Sequence, residues 1–533
     1  MGITLSLPVT SAEAAAYRAA GHWSDHIAVD TASLAALGSR PALVDRRGRW
    51  TYAELAAASD RLAGTLHELG VGAGDAVVIV ADNDRESAAA YHATGRLGAV
   101  AVLVHRASGA SDVAFACAAS APRVVLLAPT AHGLGAAATG EGRTVHAVAD
   151  LLGADGPPPP RPTVDPDAAR LVIFTSGTTS APKGVVHTEN TLRASTANYR
   201  ATTDLTGDDR FFLVSPLASI AGVLQVLYLA PLLGAAAVLE HAFDEEGTLD
   251  LLTETGGTFY GGTDVVLGRL LAAARRRGVG VPLRGAAVGG TMLRHDLLLD
   301  AEATFGIVVQ RVYGSSEVPS STSAVPDEAQ AVRLGDDGRP APGVEVRVLD
   351  DGTQELLVRG PHRFRGYLDP RDNEGAFEGD WFRTGDAAEL VDGRLRVVGR
   401  LKEIASRSGK KISLAEVEQA FAAATGLEAC AAFAAPDDVT GERVVVAVRL
   451  LEGATLDVPA ALDAMGAAGF AKWKLPEAVV RHDGPFPMTA TGKVLRRALS
   501  EEASVPLWRA ERLASHDTRR RAQAPGSTST PAT

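Results

Sequence analysis

Cysteine is almost absent from this chain: two residues in 533, Cys117 and Cys430, far apart in sequence. That excludes a disulfide scaffold and points to a reducing compartment, the cytoplasm. An excess of positive charge is missing too. With a formal net charge of −12 the chain has no electrostatic basis for nucleic acid or an anionic membrane as its main partner, so a bound phosphate must be held by local donors and single lysines. The opening stretch, MGITLSLPVTSAEAAAYR, lacks a basic region followed by an apolar core, and no secretory signal is expected. Gly2 with Ser6 meets only the loose myristoylation pattern. Residues 211–239 carry no charge, but Pro216, Gln225 and Pro231 divide them; a loop, a buried helix and a buried strand are expected there, not a membrane span. No repeat of solenoid length occurs, and the Walker spacing GxxxxGK[ST] is absent.

What is present is length and alternation. A chain of 533 residues, 46% of them apolar, exceeds what one core supports, so two or more domains are expected. Apolar runs of strand length at 76–81, 100–104, 124–127 and 171–174 alternate with helical patterns over 52–69 and 85–97, which argues for α/β layers. Near the C-terminus, 414–421 reads as a helix and 443–450 as a strand. Pro157 to Pro160 form a rigid surface link, and beyond about residue 510 the Arg, Ser, Thr, Pro and Ala residues show no period, as in a disordered tail.

The richest chemistry sits at 174–184, FTSGTTSAPKG. Closely spaced Gly, Ser and Thr let the backbone bend tightly and aim donors at one point, while Lys183 adds a positive charge: a phosphate cradle. By composition alone the same run is equally a solvated loop. Four more islands follow in order: YGSSE at 313–317, WFRTGD at 381–386, GRLKE at 399–403 and PMTATGK at 487–493. Together, over about residues 15 to 505, the chain resembles the adenylate-forming superfamily of acyl-CoA synthetases, peptide-synthetase adenylation domains and luciferases.

The resemblance implies a fold and a chemistry. The fold is α/β: a large N-terminal multi-sheet α/β domain (1–400) that binds ATP and the acid, a small mobile α+β C-terminal domain (401–510) that swings about Lys402, and the tail (511–533). The chemistry joins a carboxylate to the α-phosphate of ATP with loss of pyrophosphate, then passes the acyl group to a thiol. By resemblance, Thr175, Ser176, Gly177, Thr178, Thr179 and Lys183 hold the β- and γ-phosphates. Glu317 binds Mg²⁺, and Ser316 touches the α-phosphate. Tyr313 stacks on adenine, Asp386 accepts the ribose hydroxyls, and Arg400 assists at the ribose or phosphates. Lys493 reaches the α-phosphate and the substrate carboxylate during adenylation. Gly409, in RSGKKIS at 407–413, keeps one glycine of a pair that lets a pantetheine arm approach; Ser408 replaces the other. Ser180, Gln354 and Leu414 are further departures, standing where relatives carry Gly, Gly and Pro.

For the acid, SPLASIAG at 215–222 is the informative stretch. No acidic residue occurs between Phe211 and Leu239 to pair an α-ammonium, and a buried ammonium without a partner is costly. Ala218, Ser219, Ile220, Gly289, Gly290, Val312 and Gly314 suggest a small apolar pocket; the small residues among them serve close packing equally well. The segments AAYRAAGHWSD and FTSGTTSAPKGVVHTENTL are most similar to aryl- and alicyclic-acid CoA ligases. The leading expectation is an ATP- and Mg²⁺-dependent ligase joining a small cyclic, aromatic or short branched carboxylic acid to coenzyme A. A stand-alone enzyme loading an acyl carrier protein through its phosphopantetheine is the second reading, and a nucleotide-binding pseudoenzyme the third. Oligomeric state is left open.

Overall fold

The computed structural model describes residues 2–153, 159–175, 182–290, 293–408, 410–424, 426–487, 494, 496–499, 504–510 and 513. The expectations for Ser176, Gly177, Thr178, Thr179, Ser180, Gly409 and Lys493, and for the tail apart from Leu513, lie outside these residues, as do Pro157 and Pro158. The chain separates into two compact units, Met1–Val397 and Val398–Thr533.

Three sheets build the first unit. In one, strand Ala76–Ala81 is flanked in parallel by Val100–His105 and Val124–Leu127, and Ala169–Thr175 continues the parallel set beyond Val100–His105. Every residue of Ala76–Ala81 is buried, so both faces are covered and the strand is apolar throughout without alternation. Helices Tyr52–Glu68 and Arg85–Arg96 pack in the same core. The first starts at Thr51, whose hydroxyl accepts from Glu54 N while the Glu54 carboxylate accepts from Thr51 N, a reciprocal cap. The sequence places these elements within a residue or two.

The second sheet runs, in spatial order, Val308–Tyr313, Gly285–Val288, Phe259–Gly262, Arg210–Leu213, Ala236–Leu239 and Pro41–Asp45, all parallel. Arg210–Leu213 is a strand where the sequence suggested a loop: Phe211, Phe212 and Leu213 are each buried between neighbours, a continuous apolar run with no alternation to announce it. In such sheets the loops after the strand carboxyl ends form the binding crevice. The third sheet holds the antiparallel strands Glu345–Val348, Glu355–Arg359 and Trp381–Val391.

The second unit is a single mixed sheet with helices Leu414–Phe421 and Val458–Ala467 packed in its core. Its long hairpin pairs Leu427–Asp437 with Gly441–Leu450. Leu414, at the first helical position where proline is favoured, is instead buried in that core. Among the described residues no helix is long and apolar enough to cross a membrane.

Candidate active site

Thr175 and Lys183 stand opposite each other at the open end of an antiparallel hairpin, strands Ala169–Thr175 and Lys183–Thr188, so both ends of the expected phosphate loop are fixed by one ladder. The segment after Phe364 runs along the outer side of this hairpin. Arg365 N donates to Val186 O at 2.8 Å and Leu368 N to Gly184 O at 2.7 Å. Gly184 permits this approach, since a Cβ there would fall 2.9 Å from the Leu368 Cβ. The same segment anchors the lysine. Lys183 Nζ donates to the Asp372 carbonyl at 3.3 Å, lies 3.7 Å from the Asp372 carboxylate and sits 4.8 Å from the centre of the Tyr367 ring.

Strand Val308–Tyr313 delivers the second group of candidates. The Tyr313 hydroxyl donates to Asp386 Oδ2 at 2.7 Å, which brings the expected adenine and ribose residues together on buried ground. Asp386 is aimed by its own neighbours. Gly385 takes φ +71°, a conformation that costs glycine little, and donates its N–H to Glu355 Oε1 at 3.1 Å; Asp386 N donates to the Thr384 hydroxyl at 3.1 Å.

Three residues outside the sequence expectations hold the site's loops, two of them at the turn 314–317. His187 Nε2 lies 2.7 Å from the Ser316 carbonyl and Nδ1 lies 2.9 Å from the Thr191 hydroxyl. Burial pushes this imidazole down to about 4, so it is neutral, with Nε2–H donating to Ser316 and Nδ1 accepting from Thr191. The Tyr367 hydroxyl donates to Glu317 Oε1 at 3.0 Å, and Phe364 N donates to the Glu317 carbonyl at 2.8 Å. Tyr367 thus touches both Lys183 and Glu317. Among the described residues no lysine or arginine pairs with the Glu317 carboxylate. A hard oxygen ligand without a competing cation fits magnesium, which takes one or two carboxylates and fills the rest of its shell with phosphate oxygens and water.

The third residue, Asn83, holds the loop at 214–217. Its amide nitrogen donates to Ser215 O at 3.0 Å and Glu240 O at 2.9 Å, and its amide oxygen accepts from Leu217 N at 2.6 Å. Ser219 then caps helix Ile220–Gly222, its hydroxyl accepting from Gly222 N at 3.1 Å and donating to Pro216 O at 2.7 Å. Ala218 is buried, and Ile220 and Val312 each pack against the same core. Two of the expected pocket glycines are set by close packing: a Cβ on Gly289 would lie 2.4 Å from Val312 O, and one on Gly314 would lie 2.6 Å from Ser320 N. Gly290 takes φ +77° with open space around its Cβ position. Ala218, Ser219, Ile220, Gly289, Gly290 and Gly314 follow the carboxyl ends of three parallel strands of one sheet.

A buried network ties the two parts together. Glu189, first residue of helix Glu189–Ala201 directly after the hairpin, accepts from the Tyr228 hydroxyl at 2.8 Å and lies 3.6 Å from Arg170. Tyr228 belongs to the π-helical turns Val223–Leu229 that continue helix Ile220–Gly222. Tyr367 and Asn83 fall in no motif, and His187, three residues past the phosphate-loop motif, has no role among the sequence expectations; three-dimensional contact identifies all three.

In the second unit, Arg400 ends its strand exposed and Lys402 lies exposed in the turn Leu401–Glu403. Ser408 takes φ +49° and donates its N–H to Thr440 O at 2.8 Å. Lys410 Nζ sits 5.0 Å from the Trp473 ring.

The family described as AMP-binding enzyme matches residues 31–368, and the AMP-binding enzyme C-terminal domain matches 416–493. Feruloyl-CoA synthase of Amycolatopsis sp is 30% identical over 460 residues, 84% of this chain and 92% of that protein. Indoleacetate–CoA ligase of Aromatoleum aromaticum is 30% identical over 473 residues, 83% of this chain and 91% of that one. Among solved structures, o-succinylbenzoate CoA synthetase of Bacillus subtilis with its acyl-adenylate intermediate superposes with a TM-score of 0.79 at 25% identity, covering 90% of this chain and 98% of that one. The same enzyme with ATP and a magnesium ion gives 0.77 at 25% identity, over 88% and 98%.

Proposed function

The chain belongs to the family of AMP-binding enzymes, and on that premise we propose that it is an AMP-forming ligase that joins a small cyclic or aromatic carboxylic acid to coenzyme A. The observation that carries this reading is the junction at Tyr367, which holds the Lys183 cation with its ring and the Glu317 carboxylate with its hydroxyl, beside the bonded pair Tyr313 and Asp386.

In the first step an oxygen of the acid's carboxylate attacks the α-phosphorus of ATP. The new P–O bond forms as the bond to the β-phosphate breaks, and pyrophosphate leaves. Two anions meet, so the residues work by position and charge. Lys183, with Thr175 and the loop residues Ser176, Gly177, Thr178 and Thr179, neutralises the departing pyrophosphate. Glu317 would hold magnesium, which when bound offsets charge on the phosphates. His187 fixes the Ser316 carbonyl and so sets the Ser316 hydroxyl at the α-phosphate. Tyr313 and Asp386 take adenine and ribose, with Arg400 assisting. Lys493 supplies charge to the α-phosphate in this step alone.

In the second step the thiol sulfur of coenzyme A attacks the acyl carbon; the C–S bond forms, the C–O bond to phosphate breaks, and AMP leaves with the electron pair while the thiol proton goes to solvent. A swing at Lys402 exchanges Lys493 for the segment of Ser408 and Gly409, where the thiol arm approaches. For the acid class, support comes from the uncharged stretch 211–239, the small residues at the strand ends, and the two relatives named for ferulate and indoleacetate.

The test is pyrophosphate release with ATP and Mg²⁺ across aryl, alicyclic, short-chain and amino acids, with and without coenzyme A. Release with ring acids, accelerated by coenzyme A and yielding acyl-CoA, is expected. Adenylate that coenzyme A cannot discharge would move the acceptor to a carrier-protein phosphopantetheine, and silence across the panel would overturn the enzyme reading in favour of a nucleotide-binding role.

A further inference from the structure

Gln225 is the lone amide in an apolar helix. Its neighbours Val223, Leu224, Val226 and Leu227 all lie in the core, and Gln225 itself is 2% exposed. It sits in the π-helical turns Val223–Leu229, a distortion found often at functional sites. One hydrogen bond engages it: Nε2 donates to Gly261 O at 3.3 Å. Because a carbonyl faces that arm, it must be the N–H side, and the other arm is fixed as the oxygen. That Oε1 accepts no hydrogen bond from any described residue. A buried acceptor left this way is costly unless something brings it a donor.

The place is kept open for the amide. A Cβ on Gly261 would fall 2.2 Å from Gln225 Oε1, so this strand end has no side chain where the amide lies. Gly261 and Gly262 close strand Phe259–Gly262, which neighbours Gly285–Val288, which neighbours Val308–Tyr313. Gln225 therefore reaches the carboxyl edge two strands from the turn at Ser316, a span of roughly 10 Å at about 4.8 Å per strand.

Resting on the reading that this edge holds the acid, the geometry points to Gln225 as a specificity residue whose amide oxygen accepts from a hydroxyl or ring N–H on the acid, at the end remote from its carboxylate. The span fits a ring carried on a short spacer, longer than a hydroxybenzoate. An ammonium would set a full charge against a neutral amide in apolar surroundings, which argues against an amino acid here.

The test compares kcat/KM for adenylation by pyrophosphate release in matched pairs: 4-hydroxycinnamate with cinnamate, and indole-3-acetate with naphthalene-1-acetate. The unaltered enzyme should favour the donor-bearing member of at least one pair by tenfold or more. Gln225→Leu and the near-isosteric Gln225→Met should each bring that ratio towards one, the loss falling mostly on the donor-bearing acid. Activity with ring acids but equal rates within both pairs, or a ratio that survives both substitutions, overturns the inference and leaves the ligase reading standing. No pyrophosphate from any ring acid overturns the acid class, and this inference with it.

Discussion

Tyr367 touches two opposite charges at once, the Lys183 ammonium over its ring and the Glu317 carboxylate on its hydroxyl. Tyr367→Phe removes the second contact and keeps the first. A hydrogen bond to a charged group contributes about 1.5–3 kcal/mol, so kcat/KM for adenylation should fall about tenfold or more and the Mg²⁺ needed for half-maximal rate should rise; a titration of rate against Mg²⁺ checks both. Nothing in the sequence marks this tyrosine, whereas the replaced glycines were visible as departures and the structure explains two of them. Gln354 and Ser408 adopt φ +57° and +49°, the left-handed region that favours glycine. Gln354→Gly should therefore raise the stability of the first unit by about 0.5–1 kcal/mol after the unfolded-state entropy of glycine is subtracted, read from denaturant unfolding.

At the scale of elements, legibility followed periodicity. Helix Tyr52–Glu68 and strand Ala76–Ala81 could be read because one has a reciprocal cap and an apolar stripe and the other an unbroken β-branched run. Strand Arg210–Leu213 could not, since RFFL is as short as a loop end and its burial comes from neighbours distant in sequence. The glycines at 289 and 314 were legible as small residues, but close backbone approach and pocket width leave the same trace in a sequence. Contact separates them for Gly289: Gly289→Ala would drive a Cβ to 2.4 Å from Val312 O, which can yield only by moving a strand end. The variant should lose about 1–3 kcal/mol of stability, and the KM for the acid should rise while the dissociation constant for ATP changes less; calorimetry and initial rates measure these. Lengthening an acid-side contact alone would change KM without that loss.

For the whole molecule, burial of histidine sets an acid limit. His92, His187 and His362 are fully enclosed; desolvation pushes His187 down to about 4 and the other two to about 3. Their ordinary value is 6.5, so between pH 6.5 and about 4 the unfolded chain takes up protons that the folded chain does not, and stability falls as pH falls, by up to about 1.4 kcal/mol per pH unit for each such group. Asp84, raised by burial to about 6, and Asp337, also raised by burial, act in the opposite direction. A single substitution isolates one contribution. His92 has no hydrogen-bond partner for either ring nitrogen among the described residues, so His92→Leu removes the titration without breaking a bond. The variant should gain stability relative to the parent steadily as pH is lowered from 6.5 towards 4, seen as converging and then crossing or widening unfolding midpoints in its favour. A difference independent of pH would contradict the buried, neutral imidazole.

The five ordered sequence islands anticipated the family because each encodes a local turn with its own chemistry; Tyr313 bonds Asp386 directly, while Lys183 and Glu317 are joined through Tyr367, which no motif contains. The central claim is that a carboxylate oxygen attacks the α-phosphorus. Its most direct measurement is the fate of that oxygen: the enzyme is given ATP, Mg²⁺, coenzyme A and a ring acid whose carboxylate carries ¹⁸O in both positions, and the products are weighed by mass spectrometry. One ¹⁸O in AMP, with unlabelled pyrophosphate and acyl-CoA retaining the other, is the predicted result. Label in inorganic phosphate with ADP as the nucleotide product would place the attack on the γ-phosphorus and contradict the account.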